Sequence, residues 1–183
     1  MTHLAVIDMQ QVFADPSSEW ATPGFDAIVP SVQALVTAFG DEVTFTRFIA
    51  PARPVGAWRA YYEQWPFALQ PPDAPLWDLA AGFTGRTVDA PTFSKWGTAL
   101  ATRMAGPRLV LCGVSTDCCV LSTALAAADA GVHVQVVADA CAGVDEVSHR
   151  KALDVMALYG PLVEVVDSVD VLLAGPGTDS VAP

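Results

Sequence analysis

The sequence predicts an α/β protein built on a doubly wound, Rossmann-like, six-stranded parallel sheet with helices on both faces. Three observations predict it. Short runs such as Leu4–Ile7 and Leu109–Cys112 are apolar at successive positions, as strands buried on both faces are. Longer stretches carry apolar residues at helical spacing and stop at glycine, as at Gly40 and Gly131. The two kinds alternate along the chain, which makes the strands parallel and the connections crossovers. No repeat or linker interrupts the alternation, so residues 1–183 read as one domain with a full core.

Taken in order, Leu4–Ile7 is the first strand and ends in Asp8, followed by a polar loop, MQQVFADPSS. No G-x-G-x-x-G follows this strand, which argues against a dinucleotide site. Phe25–Phe39 is a helix with Ile28, Val32, Leu35, Val36 and Phe39 on one side, and Val43–Phe48 is the second strand. The pattern then breaks. The segment 51–75 holds six prolines and the rings of Trp58, Tyr61, Tyr62, Trp65 and Phe67, with a short helix near Ala57–Glu63. Such aromatics serve either a pocket wall or a subunit contact.

Thr87–Ala90 is a weak third strand leading to Lys95, one of only two lysines, between Phe93 and Trp96. A lysine there either snorkels past the rings to water or serves as a site cation. Leu109–Cys112 is the central strand, ended by Gly113; Thr116 and Asp117 are N-cap residue types, and a helix runs from Cys119 to Gly131. Val132–Ala138 is the fifth strand with Asp139 at its end, Val147–Tyr159 a helix, Leu162–Val166 the sixth strand, and the tail from Ala174 frays.

Composition narrows the function. The chain is 52% hydrophobic and 16% charged, with a net charge of −11. That charge repels nucleic acid and anionic membranes, and no basic cluster offsets it. No apolar run reaches the ~20 residues that span a bilayer. Met1–Val6 lacks a signal peptide's basic start and long apolar core. Cys112, Cys118, Cys119 and Cys141 form no spaced disulfide framework, so the expectation is reduced thiols in a cytoplasmic protein.

Open α/β sheets place their sites at the carboxyl ends of strands. Asp8, Lys95 and the Cys118–Cys119 pair all fall there. The start of a helix favours a thiolate, because free N–H groups and the helix dipole stabilise negative charge. A carboxylate that takes a thiol proton, a lysine that holds both anions and a thiolate that attacks a carbonyl carbon form a coherent set. Gln10, Phe13, Arg47, Trp58 and Trp96 flank the inferred strand ends as candidate substrate contacts. Arg47 suits a substrate carboxylate or, equally, a surface ion pair.

These residues carry a resemblance. Asp8-Met9-Gln10-Gln11-Val12-Phe13 resembles the D-x-Q-x-x-F opening of the isochorismatase-like cysteine hydrolases. Phe93-Ser94-Lys95 resembles their lysine segment, and Gly113–Val120 (GVSTDCCV) is similar to their G-V-x-T-x-x-C-V motif. Asp139-Ala140 and the H-x-x-A-L of His149–Leu153 fit the last third. The resemblance implies the three-layer fold of that family. It implies Cys119 as nucleophile, Cys118 as the variable neighbour, Asp8 as general base and Lys95 as electrostatic partner. It further implies an oxyanion hole from the backbone N–H groups of Ser115 and Cys119, a cis peptide at Val114–Ser115 and a homo-oligomer.

One departure stands out. The nicotinamidase branch of the family binds a metal through an Asp-x-His pair after the second strand, where this chain has Phe48-Ile49-Ala50. The only histidines are His3, His133 and His149. The expectation is therefore no metal and no cofactor. The expected substrate is a small molecule, an amide, ureido or carbamoyl compound cleaved at its C–N bond. Two alternatives remain on the sequence: vinyl-ether hydrolysis with Asp8 as acid, and a non-catalytic binding or redox-sensing module that uses the cysteine pair.

Overall fold

The structure is a computed structural model that describes residues 1–177. Its sheet has six parallel strands: β1 (Thr2–Ile7), β2 (Val43–Phe48), β3 (Thr87–Ala90), β4 (Arg108–Val114), β5 (His133–Ala142) and β6 (Val163–Val166). Their spatial order is β3-β2-β1-β4-β5-β6. The chain thus winds outward from β1 in one direction, returns, and winds outward from β4 in the other. The strand order reverses between β1 and β4, and there a crevice opens at the carboxyl ends. Right-handed crossovers in opposite directions put their helices on opposite faces. Helix α2 (Phe25–Phe39) lies on β1, β4 and β5 beside α7 (Ser168–Ala174), while α5 (Leu121–Asp129) and α6 (Glu146–Ala157) pack together against β5 and β6.

The hydrophobic pattern explains the layers. All six residues of β1 are buried, as are Leu109 to Val114 of β4. Helix α2 presents Phe25, Ile28, Val32, Leu35 and Phe39 to the sheet, the stripe its spacing predicts. Burying each such side chain contributes about 1.5–3 kcal/mol. Asp145 caps α6 by accepting the Ser148 N–H at 2.7 Å.

Several boundaries differ from the sequence expectation. Strand β4 does not end at Gly113 but runs through it to Val114. Gly113 has φ +116°, and a Cβ there would lie 2.1 Å from the Ile7 carbonyl oxygen. Only glycine lets β1 and β4 meet this closely at the crevice. Strand β5 continues past Asp139 to Ala142, because its pairing with β4 shifts between Leu111 and Gly113. Asp139 is therefore inside the strand, and its carboxylate accepts from the backbone N–H and hydroxyl of Ser168, where α7 begins. Neither Thr116 nor Asp117 caps a helix; residues 116–120 form a single π-helical turn before α5. Two four-residue helices, α1 (Gln11–Ala14) and α4 (Thr98–Ala101), fall where the sequence gives loops, and α3 (Trp58–Gln64) lies one residue beyond its expected position. The tail expected to fray begins as the end of α7, and the Pro176 carbonyl accepts from Thr2 N at 3.2 Å; the rest of that tail, 178–183, lies outside the described residues. Among the described residues no helix is long and apolar enough to cross a membrane.

Candidate functional site

The crevice between β1 and β4 gathers the candidate residues. Asp8 follows β1 directly and has φ +48°, a left-handed conformation that Asp tolerates better than most residues. Its side chain is fully buried. Oδ1 accepts from the Thr46 hydroxyl at 2.7 Å, and the same hydroxyl oxygen accepts from Asp8 N at 3.2 Å. Oδ2 lies 3.0 Å from Lys95 Nζ, a pair with both side chains fully buried.

Lys95 reaches this position indirectly. It lies five residues beyond β3, the edge strand, and the loop must fold back across the end of β2. Three contacts hold it. Nζ donates to the Thr92 carbonyl at 2.6 Å, Nζ sits 4.5 Å from the centroid of the Phe48 ring, and the backbone N–H donates to Thr123 Oγ1 at 2.8 Å. Thr123 Oγ1 in turn donates to the Cys119 carbonyl at 2.6 Å. One hydroxyl on α5 thus fixes the lysine segment relative to the cysteine turn.

Cys119 sits in the π turn, 4% exposed. Its thiol lies within electrostatic reach of both Asp8 and Lys95. Burial pushes the thiol well above its ordinary pKa, the Lys95 ammonium pulls it down, and the Asp8 carboxylate pushes it up. The helix-start argument for a resting thiolate is therefore overridden by desolvation: the resting group is a thiol beside a buried carboxylate. Cys118, less buried, has its thiol 3.5 Å from Asp117 Oδ2 and is pushed up to about 11, chiefly by burial. The Val114–Ser115 peptide is cis. The Ser115 carbonyl accepts from Cys118 N and Val120 N, both at 3.1 Å.

Above Cys119 opens a cavity of about 360 Å³. Six aromatic rings wall it: Phe13, Trp20, Phe48, Tyr61, Trp65 and Phe93. Trp20 is the hub, stacked on Phe13 at 6.2 Å and edge-on to Phe48 at 5.5 Å and Phe67 at 5.1 Å. Tyr61 and Trp65 come from the 51–75 excursion, which forms part of the pocket wall. The polar lining is Glu19, Thr22, Ser115 and Asp117 with the two cysteines.

The expected substrate contacts divide. Phe13 lines the cavity. Gln10 does not: it is fully buried, and its amide brackets the Phe48 backbone and the Trp77 carbonyl. Arg47 points away, gripping Asp89 with two bonds of 2.8 and 2.7 Å between neighbouring strands, so it is not free to meet a substrate carboxylate. Trp58 packs behind the wall on Phe93 and Tyr61, at 5.1 and 5.2 Å. Trp96 is half-buried against the core and off the cavity. Sequence reasoning missed Trp20, Glu19 and Thr22, whose only signal is their place soon after β1, and the two threonines, Thr46 and Thr123, that hold Asp8 and Lys95.

Residues for a metal do not fit. Phe48, Ile49 and Ala50 are buried and apolar, and among the described residues no group of three His, Cys, Asp or Glu side chains could hold an ion.

Comparison with known proteins now decides the family. The isochorismatase domain matches residues 2–169. The chain belongs to the isochorismatase family. Isochorismatase domain-containing protein 2 of Xenopus laevis is 40% identical over 67 residues, 37% of this chain. The alignment spans about a third of the curated relatives it matches. Among solved structures, a cysteine hydrolase from Pseudomonas syringae pv. phaseolicola 1448A superposes with TM-score 0.82 at 21% identity, covering 94% of this chain and 91% of that one. A pyrazinamidase of Pyrococcus horikoshii in complex with zinc gives 0.72 at 24% identity, covering 91% and 98%. These structures share the isochorismatase fold of this chain.

Proposed function

We propose that the protein is a cysteine hydrolase that cleaves the C–N bond of a small amide, ureido or carbamoyl compound. The observation that carries this reading is the buried Asp8–Lys95 pair, 3.0 Å apart, whose two charges both act on the Cys119 thiol at the base of a cavity. A buried thiol is a poor nucleophile until a base takes its proton. Asp8 is the base in reach, and Lys95 stabilises the negative charge on whichever partner holds it.

The steps balance. Asp8 accepts the Cys119 proton as sulfur attacks the carbonyl carbon. The oxyanion is received by the backbone N–H groups of Ser115 and Cys119. The π turn supports that role, since the Ser115 carbonyl takes its bonds from Cys118 and Val120. Asp8 returns the proton to the leaving nitrogen, the C–N bond breaks, and ammonia or an amine departs from a thioester on Cys119. Water then loses a proton to Asp8 and attacks the thioester, releasing the acid and restoring the thiol.

The test is ammonia release from a panel of small amides, ureido and carbamoyl compounds, with intact-mass detection of an acyl adduct on Cys119. Cys119→Ala is expected to lower turnover by at least about a thousandfold. Undiminished ammonia release in that variant overturns the reading; pyruvate release from an isochorismate-like vinyl ether, unaffected by Cys119→Ala, favours vinyl-ether hydrolysis instead.

A further inference from the structure

The rings over Cys119 form a box, and the box is negative. They do not lie parallel, as the sides of a slot would. Trp20 meets Phe48 at 90° and Trp65 at 68°, and Tyr61 meets Phe93 at 82°, with centroids 5.5, 6.4 and 5.7 Å apart. Walls set at such angles enclose a rounded group better than a flat one. Two carboxylates, Glu19 and Asp117, share the lining with them, and no lysine, arginine or histidine does. Burial pushes the Cys118 and Cys119 thiols and the Tyr61 hydroxyl up, so these three stay neutral at pH 7. Beneath the cavity the charges of Asp8 and Lys95 offset each other. Asp117 accepts the Val144 N–H through Oδ1 at 2.8 Å, and the Cys118 thiol lies 3.5 Å from its Oδ2. Glu19 is exposed and has no hydrogen-bond or ion-pair partner among the described residues.

We propose that this cavity holds an organic cation: if the site works as the hydrolase described above, its substrate is an amide that carries an ammonium or quaternary ammonium group at the end away from the scissile carbonyl. The face of an aromatic ring is negative and attracts a cation, the more so where water is excluded. The chain makes one such contact within the site, Lys95 Nζ lying 4.5 Å from the centroid of the Phe48 ring. Glu19 and Asp117 add full charges of the right sign, and the net charge of −11 draws cations toward the molecule from a distance. An uncharged group of the same shape gains only the apolar area it buries. A carboxylate would leave water to meet ring faces and two like charges. Glu19, with no partner of its own, is the residue left to pair with the incoming cation.

The experiment separates binding from chemistry. Titration calorimetry on the Cys119→Ala protein compares trimethylammonioacetamide with the same amide bearing tert-butyl in place of the trimethylammonium. The two probes share a shape and differ only in a charged nitrogen for a neutral carbon. The cation is expected to bind about tenfold more tightly or better in dilute buffer. Glu19→Gln, an exposed substitution, should weaken the cation about threefold and leave the neutral probe unchanged, a difference that disappears near about 1 M salt. Trp20→Leu should weaken the cation more than the neutral probe at any salt concentration. Equal affinities, tighter binding of the neutral probe, no saturable binding of the cation, or a preference that neither substitution changes overturns the inference. A clear preference for the cation, without ammonia release from it or from the wider panel by the wild type, leaves the inference standing and removes the hydrolase reading instead. Equal kcat/KM on the two amides does the reverse.

Discussion

The floor and the walls of this site are built by different means. The floor is Asp8, Thr46, Lys95, Thr123 and Cys119, each buried and each tied to another by a hydrogen bond or ion pair. The walls are rings from the end of β2, two short helices and the loops around them, held by ring contacts around Trp20 with hardly a directional bond between them. The contrast teaches that the floor is a geometry with little freedom while the walls tolerate repacking, so under the proposed chemistry the floor would set the reaction and the walls what molecule enters. Polar networks in a dry interior lose heavily when one member goes; apolar walls lose in proportion to area.

Substitutions test that division. The largest effect belongs to Asp8→Asn, which removes the proposed base: turnover of any confirmed amide should fall by about 10²–10⁴-fold. A loss under tenfold would move Asp8 out of the mechanism. Next comes Lys95→Met, which leaves the Asp8 carboxylate buried without its ion partner. Breaking a buried pair costs about 3–5 kcal/mol, to be read by urea denaturation. Trp20→Ala, in the wall, should cost about 2 kcal/mol and raise KM while leaving kcat within a few fold, since the ring is only partly buried. A collapse of kcat instead would show that walls and floor act as one unit.

Iodoacetamide labelling of Cys119 sharpens the picture within the floor. With the thiol held above its ordinary pKa, labelling should be slow at neutral pH and quicken as pH rises. At any one pH Asp8→Asn should quicken it, because a carboxylate that favours the protonated form is gone, and Lys95→Met should slow it for the opposite reason. Identical profiles in all three proteins would mean the groups do not sense one another. Arg47→Ala, outside both regions, is the smallest: an ion pair with half-exposed partners is worth under about 1 kcal/mol, and rates on anionic and neutral amides should be unchanged.

Much of the floor was legible because its residues sit beside strand ends in short motifs. Leu4–Ile7, Val43–Phe48 and Thr87–Ala90 read as strands from their apolar runs, and Asp8 follows the first of them. The walls were less legible. Trp20 lies just past the polar loop MQQVFADPSS, in a stretch with no pattern of its own, and only the tertiary fold brings six rings around it. Gln10 misled for a related reason: a polar residue near a site suggests substrate, yet its amide matches the hydrogen-bonding pattern of a peptide and serves the Phe48 backbone. Arg47 and Asp89 are partners only in the β2–β3 register, which no local pattern announces. The π turn at 116–120 replaced an ordinary helix start because the backbone adds a residue there, and neither capping types nor propensity detects such an insertion.

The hydroxyl of Thr123 has a longer reach than its size suggests. It has one hydrogen, given to the Cys119 carbonyl, and it takes the Lys95 N–H in return. Two segments of chain 24 residues apart are therefore anchored through their backbones to a single atom, and a shift of one is passed to the other. Remove that one hydroxyl, as in Thr123→Val, and the lysine loop and the cysteine turn lose their common anchor at once.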